Sequence, residues 1–436
     1  MQYDVVIIGG GTAGCAAAYM CAKRGLKTLI IEKNIHLGGA ITSGLVIPVM
    51  HCGENQINTE FYNLLVSELK NFGGQVTYQG NSGWFNPELT KIVLDKLMKE
   101  QNVDILFNTT IDNVKINYPC INSIEIKQYM LSTCNDTIHT NNINLSGKGI
   151  LSVYIGAKYF IDATGNCDFS KLINCEMQND NTEFQPMSMR FILSGVNKKI
   201  FADWILKLDP DRSVTTVEEV DNDFHFSTAY TWDTDRQWAL ADIFNKAISE
   251  NILKSTDCNY FQLFTIAGMP DSVAFNCPRI IEKLNPNDNF DVSKAAMLGR
   301  EAIWRLYKFC KTYLPGFENS YISNIADELG VRVSNRIVGK YIYTIDDLKS
   351  GREFDNPILI SNYPVDVHSN KKNRSTCDRV NEYQLPIESL MAKDYDNLFV
   401  IGRCLSADYM AQGALRVQSS CFSMGEAVAK YIANNV

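Results

Sequence analysis

Three groups of residues in this chain have the types and spacing for chemistry. Gly9, Gly11 and Gly14 follow the apolar run Val5 to Ile8 as GxGxxG. In that spacing the first glycine permits a tight turn, the second lets backbone approach a pyrophosphate, and the third lets a helix pack closely on the strand. Glu32 stands 18 residues beyond Gly14, where a carboxylate can bond a ribose diol and disfavour a 2′-phosphate. Arg332 and Arg336 lie four residues apart in LGVRVSNR and would share a face if that segment were helical. Two guanidiniums aimed into a cavity suit a carboxylate or another anion, and their alternative is pairing with Asp or Glu between domains. His368 in YPVDVH is a candidate general acid/base, because an imidazole changes protonation near neutral pH; its alternative is a core-satisfied or surface histidine. Cys52, next to His51, is a candidate redox or covalent partner to a cofactor, a role that needs an electropositive setting to favour the thiolate.

These residues must be positioned by regular elements. Val5 to Ile8 reads as a buried parallel strand, Ala13 to Lys23 as the following helix and Lys27 to Ile31 as the next strand, which together make a βαβ unit ending at Glu32. Phosphates would sit at the helix N-terminus. The glycine-punctuated loop 34–49 is too apolar for a solvated linker and is expected to lie against something. A helix is expected over 59–72, a turn and excursion over 73–83, and a second helix from Pro87 to Gln101 with Asn86 as its cap. Two short strands follow in 103–116, then a β-rich stretch over 119–161 whose Asn/Thr/Ser-rich tip, 132–147, reads as an exposed hairpin end. KYFIDATGNCD is a further strand ending in Thr164 and Gly165. Residues 181–330 carry four of the five tryptophans and lack βαβ spacing, which points to an inserted second domain. Within it, 295–314 has helical apolar spacing stopped by Pro315-Gly316. Asn276-Cys277-Pro278-Arg279 either lines that domain's edge toward the cofactor or is a turn around Pro278. A buried strand from Leu398 to Ile401, a loop and a closing helix end the chain.

At 436 residues the chain is long enough for two or three units sharing a large core. Its net charge of -8 and lack of a basic cluster argue against a nucleic-acid partner, and the densest patch, KKNR at 371–374, reads as a solvated loop. No apolar stretch approaches the ~20 residues needed to cross a bilayer, and no cleavable apolar leader is visible, so a cytoplasmic location is expected. The 13 cysteines are scattered without a CxxC pair, which suggests reduced, buried thiols and no metal site.

The grip on an ADP moiety is common to NAD and FAD enzymes, so the N-terminal motif leaves both open. The ordered set GGGTAG, IEK, LGGAITSGL, FNPELTKIVLDKLM, YFIDATGNCD, LGVRVSNRIVGKY, DNLFVIGR and GALRVQSSCFSMGEAVA resembles the FAD-dependent oxidoreductases with a glutathione-reductase-type FAD fold, relatives of the fumarate-reductase and succinate-dehydrogenase flavoproteins. The resemblance covers nearly the whole chain. It implies an α/β fold: a Rossmann-like FAD-binding domain with a three-layer parallel sheet and β-meander, in two parts (1–180 and 385–436), plus an inserted α+β substrate domain (181–384).

It also implies FAD as cofactor. Gly9, Gly11, Thr12, Ala13 and Gly14 would meet the pyrophosphate, Glu32 and Lys33 the adenosine ribose, and Gly38, Gly39, Ala40, Ser43 and Gly44 the ribityl and phosphate region. Ile111 matches the position whose backbone meets adenine. Ala163, Thr164 and Gly165 match the second pyrophosphate-side turn, with Asp168 nearby. Gly402 and Arg403 match the late FAD contact, where relatives carry Gly-Asp, so the arginine removes a carboxylate-to-ribityl contact. The stretch from Gly413 through Met424 to Gly425 leads into the last helix, whose N-terminus would point at the flavin. The implied activity is hydride transfer between FAD and a small organic, anionic substrate. No second GxGxxG marks an NAD(P)H domain, so electrons are expected from the substrate, a free reductant or an electron-transfer protein partner; the oligomeric state stays open. The competing readings are an NAD-dependent dehydrogenase, a flavin-fold binding protein without turnover, and a tRNA-modifying flavoprotein, the last disfavoured by the acidic balance.

Overall fold

The computed structural model describes residues 1–130, 149–178, 184–231, 238–369 and 376–436. The expected hairpin end at 132–147 and the KKNR patch lie outside the described residues.

Residues Gln2–Ile8 form the central strand of the first sheet, and Val5, Val6 and Ile7 are completely buried, as a parallel strand covered on both faces must be. The sheet runs Asp104–Leu106, Thr28–Ile31, Gln2–Ile8, Gly149–Asp162, Cys120–Met130, Asn113–Asn117. The first half of Gly149–Asp162 pairs antiparallel with Cys120–Met130, making a meander. Its second half pairs parallel with Gln2–Ile8 on one side and Leu398–Val400 on the other. Register aligns the carboxyl ends: Ile8 lies opposite both Ile31 and Asp162, Ile31 opposite Leu106, and Val400 opposite Asp162. The residues that follow those ends, Gly9, Glu32, Ala163 and Ile401, therefore emerge along one edge, where ligands bind in open α/β sheets.

Helix Thr12–Lys23 covers one face of this sheet and packs against the C-terminal helix Gln418–Ala433. Close approach depends on small residues: a Cβ on Gly425 would stand 2.2 Å from the Ala13 carbonyl oxygen. The expected closing helix is Gln418–Ala433, and the segment expected as a loop before it carries a further short helix, Tyr409–Leu415, set off by the extended Val417. Helix Pro87–Glu100 begins as expected, with the Asn86 side chain accepting from the Glu88 and Leu89 amides. The stretch expected as a turn forms the hairpin Gln75–Tyr78 with Asn81–Phe85.

A second, antiparallel sheet of six strands runs Thr215–Val220, Asp223–Thr231, Tyr260–Thr265, Val273–Phe275, Phe191–Ser194, Tyr321–Ile325. Its own core is aromatic, with Phe191 stacked on Phe275 at 4.3 Å between ring centroids and Phe201, Phe226, Phe244, Phe261 and Phe309 around them. Helix Asn289–Tyr313 packs here, starting six residues before the expected span because the Asp288 side chain caps the Phe290 and Asp291 amides. Residues 343–369 and 376–390 return to the first core, to which Tyr343, Leu359, Val365, Tyr383 and Leu385 contribute. No described helix is long and apolar enough to cross a membrane.

A candidate cofactor and substrate cavity

A single cavity of about 1020 Å³ runs from the carboxyl edge of the first sheet to the face of the second. It is at the upper end of ligand-site volumes, which are roughly 300–1,000 Å³. The wall at the sheet edge is built for a dinucleotide. Gly9 turns at φ +103°, and a Cβ on Gly14 would stand 2.0 Å from the Gly9 carbonyl oxygen. Gly11 differs: a Cβ there meets no protein atom within 4 Å and would project into open space at the helix N-terminus. The buried Thr12 hydroxyl has no hydrogen-bond partner among the described residues. Glu32 is held by the Gly10 amide at 2.6 Å and the Asn34 amide at 2.8 Å, one per carboxylate oxygen, leaving lone pairs on both. An open cradle, an unmet hydroxyl beside it and an anchored carboxylate at the second strand end together fit the ADP half of a dinucleotide.

Of the residues expected at the cofactor, Gly9, Gly11, Thr12, Ala13, Glu32, Lys33, Gly39, Ala40, Gly44, Ile111, Ala163, Thr164, Gly165, Asp168, Gly402 and Arg403 line this cavity. Arg403 cross-ties its wall, donating to the Gly165 carbonyl at 2.6 Å, to Asn166 Oδ1 at 2.7 Å and to the Val331 carbonyl. Burial raises the Asp168 carboxyl above its ordinary range, with Asp162 adding to the shift. Gly14, Gly38, Ser43, Gly413, Met424 and Gly425 lie behind the wall. Gly413 lets its helix meet the strand Val365–Val367, where a Cβ would stand 2.8 Å from Val367 Cγ2, and Met424 and Gly425 sit within the last helix against the core. The cavity-facing residues at that helix's start are Arg416, Val417, Gln418 and Cys421.

The far end of the cavity is cationic. Arg332 is buried and donates to the Pro186 carbonyl at 2.8 Å. Burial first, then Arg279, Arg416 and Arg190, push its pKa well below the ordinary value. Arg190 is also buried, which draws its pKa down to about 10, so it stays charged at neutral pH. Arg416 donates to the Asp366 carbonyl oxygen at 2.8 Å and to its Oδ2 at 3.2 Å. Burial opposes ionisation of Asp366, yet His368, Arg416 and Arg332 outweigh it and hold the carboxyl below its usual range.

The condition for Arg332 and Arg336 to share a face is not met: residues 331–336 are irregular, so the two side chains part company. Arg332 lines the cavity, whereas Arg336 is wholly buried behind it, donating to the Ala407 carbonyl at 3.2 Å with its guanidinium 5.9 Å from the Tyr409 ring centroid. His368 lines the cavity as a fixed neutral imidazole. The Arg279 guanidinium lies 3.0 Å from Nδ1 and can only donate, so Nδ1 carries the lone pair and the proton sits on Nε2, 3.3 Å from Asp366 Oδ2. Burial, then Arg332, depresses its pKa to about 3. Cys52 lies outside the cavity lining, fully buried with its sulfur 3.6 Å from Ser420 Oγ, and burial raises its pKa, which holds it as the thiol.

Sequence reasoning missed Arg190, Asp366 and Arg416. A signal exists for the first: Arg190 is the one charged residue in the run Pro186 to Leu193. Asp366 and Arg416 lie in YPVDVH and GALRV, where no spacing sets them apart.

A family model described as FAD dependent oxidoreductase matches residues 4–435. Among curated proteins, thiamine thiazole synthases of Sulfolobus acidocaldarius and Saccharolobus solfataricus are each 27% identical over 169 residues, 38% of this chain and 56% of theirs. The chain thus spans little more than half the length of these relatives. Solved structures similar to it include a geranylgeranyl bacteriochlorophyll reductase-like protein from Thermoplasma acidophilum (14% identity, TM-score 0.46, covering 99% of this chain and 78% of that one). Another is p-nitrophenol 4-monooxygenase from Pseudomonas putida DLL-E4 (9% identity, TM-score 0.46, covering 99% and 79%).

Proposed function

Because the chain belongs to the family of FAD-dependent oxidoreductases, we propose that it exchanges a hydride with a small organic anion held at the cationic end of its cavity. The observation that carries this reading is the gathering of Arg190, Arg279 and Arg416 around Arg332 at one end of the cavity, where Asp366 is the carboxylate recorded beside Arg332 and Arg416. Buried like charges are costly unless a counter-charge joins them, and a bound anion supplies it. FAD, when bound, supplies the two-electron redox chemistry. Gly11, Thr12 and Glu32 would hold its ADP half, and Ile111 and Gly165 would flank it.

The chain's own residues bind and orient. Arg332 and Arg190 would draw the anion inward, while Asp366 fixes Arg416 and keeps it from folding across the cavity. His368, neutral and bonded on both nitrogens, orients Arg279 and Asp366 rather than standing ready to take a proton. With no second dinucleotide motif in the chain, electrons not exchanged with the substrate would pass to or from a free redox partner or a protein.

Anaerobic titration of the purified, FAD-loaded protein against a panel of organic acids tests the reading. At least one acid should bleach or restore the flavin absorption. Protein that cannot be loaded with FAD, or a flavin that responds to neutral compounds and not to acids, would refute it.

A further inference from the structure

We propose that the substrate is a carboxylate bearing a hydrogen-bond donor on the adjacent carbon, a 2-hydroxy or 2-amino acid, seated against Arg190 and Asn276. This rests on the function proposed above and names the substrate class for the same site.

Arg190 and Asn276 leave the same end of one strand pair. Strands Phe191–Ser194 and Val273–Phe275 are antiparallel, with Val273 opposite Leu193, Ala274 opposite Ile192 and Phe275 opposite Phe191. Arg190 immediately precedes the first of these strands and Asn276 immediately follows the second, so the two flank the pair Phe191–Phe275 at the same end of the ladder. Both residues line the cavity.

Each presents an unmet group of opposite character. Arg190 is 7% exposed, and its Nε and Nη1 have no acceptor among the described residues. Asn276 Nδ2 donates to Gln262 Oε1 at 2.7 Å and to the Tyr260 hydroxyl at 3.2 Å, while Tyr260 donates to the same Gln262 oxygen at 2.7 Å. That closed ring fixes the amide with Oδ1 as its open end, and Oδ1 is buried with no donor among the described residues. Leaving such groups unpaired is unfavourable, so the ligand that belongs here satisfies both. A guanidinium accepts nothing and asks for an anion; an amide oxygen asks for an O–H or N–H. Two side chains that flank one strand pair and face one cavity ask for these groups on adjoining carbons. A plain carboxylate answers Arg190 alone, and a neutral alcohol answers Asn276 alone.

The test is an anaerobic titration of the FAD-loaded protein with glycolate, glycine, acetate and glycolamide, read as perturbation or bleaching of the flavin spectrum. Glycolate or glycine should bind about tenfold or more tighter than acetate, and glycolate about tenfold or more tighter than glycolamide. Arg190→Gln should bring glycolate and glycolamide together, and Asn276→Ala should bring the better of glycolate and glycine to the level of acetate, both with FAD content retained. Equal binding of acetate and both donor-bearing acids to the unmodified protein overturns the inference and leaves the anion reading standing. So does undiminished discrimination in either FAD-loaded variant. A flavin that no acid perturbs overturns the parent reading as well.

Discussion

Arg332 and Arg336 show how much a residue's role depends on where its neighbours let it point. Both are buried arginines, but only Arg332 reaches the cavity, and Arg336 is spent on the Ala407 carbonyl. Arg332→Met should therefore raise KM for an acidic substrate at least tenfold with FAD still bound, the loss expected for one charge-assisted contact of about 1.5–3 kcal/mol. Arg336→Met should instead lower unfolding free energy by roughly 1–3 kcal/mol, because it leaves a buried carbonyl unmet; steady-state kinetics beside denaturant titration separates the two. His368 carries a pH signature. Its folded pKa of about 3 lies below its ordinary 6.5, so between those values the unfolded chain binds the proton more readily. Stability should fall as pH drops through that window, by up to about 1.4 kcal/mol per unit. Urea melts of His368→Gln between pH 7 and 4.5 should have a shallower slope than those of the unmodified protein; identical slopes would mean the imidazole is protonated in the fold.

At the scale of elements, the same turn uses glycine in two ways. Gly14 lies under its own turn, and Gly14→Val drives a side chain into the Gly9 carbonyl, so the strand-to-helix junction itself should fail and the protein should be recovered poorly folded. Gly11→Val faces open cavity; the protein should fold with an unchanged circular dichroism spectrum and contain no flavin. Normal flavin content in Gly11→Val would mean that the cofactor lies elsewhere. The break at Arg416-Val417 is a second device of this kind. A continuous closing helix would carry Arg416 around its own axis, whereas the extended Val417 divides the helix so that Arg416 reaches Asp366 and Gln418 opens the last helix at the cavity.

At the scale of the molecule, the described residues build an aliphatic core around the parallel sheet and an aromatic core behind the antiparallel one, and the large cavity is lined from both. A cofactor that touches both joins their stabilities. FAD should raise the melting temperature of stripped protein in a concentration-dependent way, by the equivalent of about 2.7 kcal/mol at a hundredfold excess over Kd. Calorimetry should show the two cores melting together with FAD; unchanged melting of either core on reloading would place the cofactor outside the shared cavity.

The sequence by itself determined the dinucleotide grip, because a βαβ unit is local: strand, glycines, helix and acid lie within 32 residues, and apolar periodicity reports each of them. Caps such as Asn86 and the stop at Pro315 were legible for the same reason. Only the tertiary structure decided the substrate end. Arg190, Arg332, Asp366 and Arg416 come from separate stretches of chain, and what brings them together is strand register, an irregular segment at 331–336 and a break between helices. None of these leaves a periodic trace. A buried guanidinium looks the same in sequence whether it faces a carbonyl, as Arg336 does, or open cavity, as Arg190 does; the difference is one of direction, which packing alone sets.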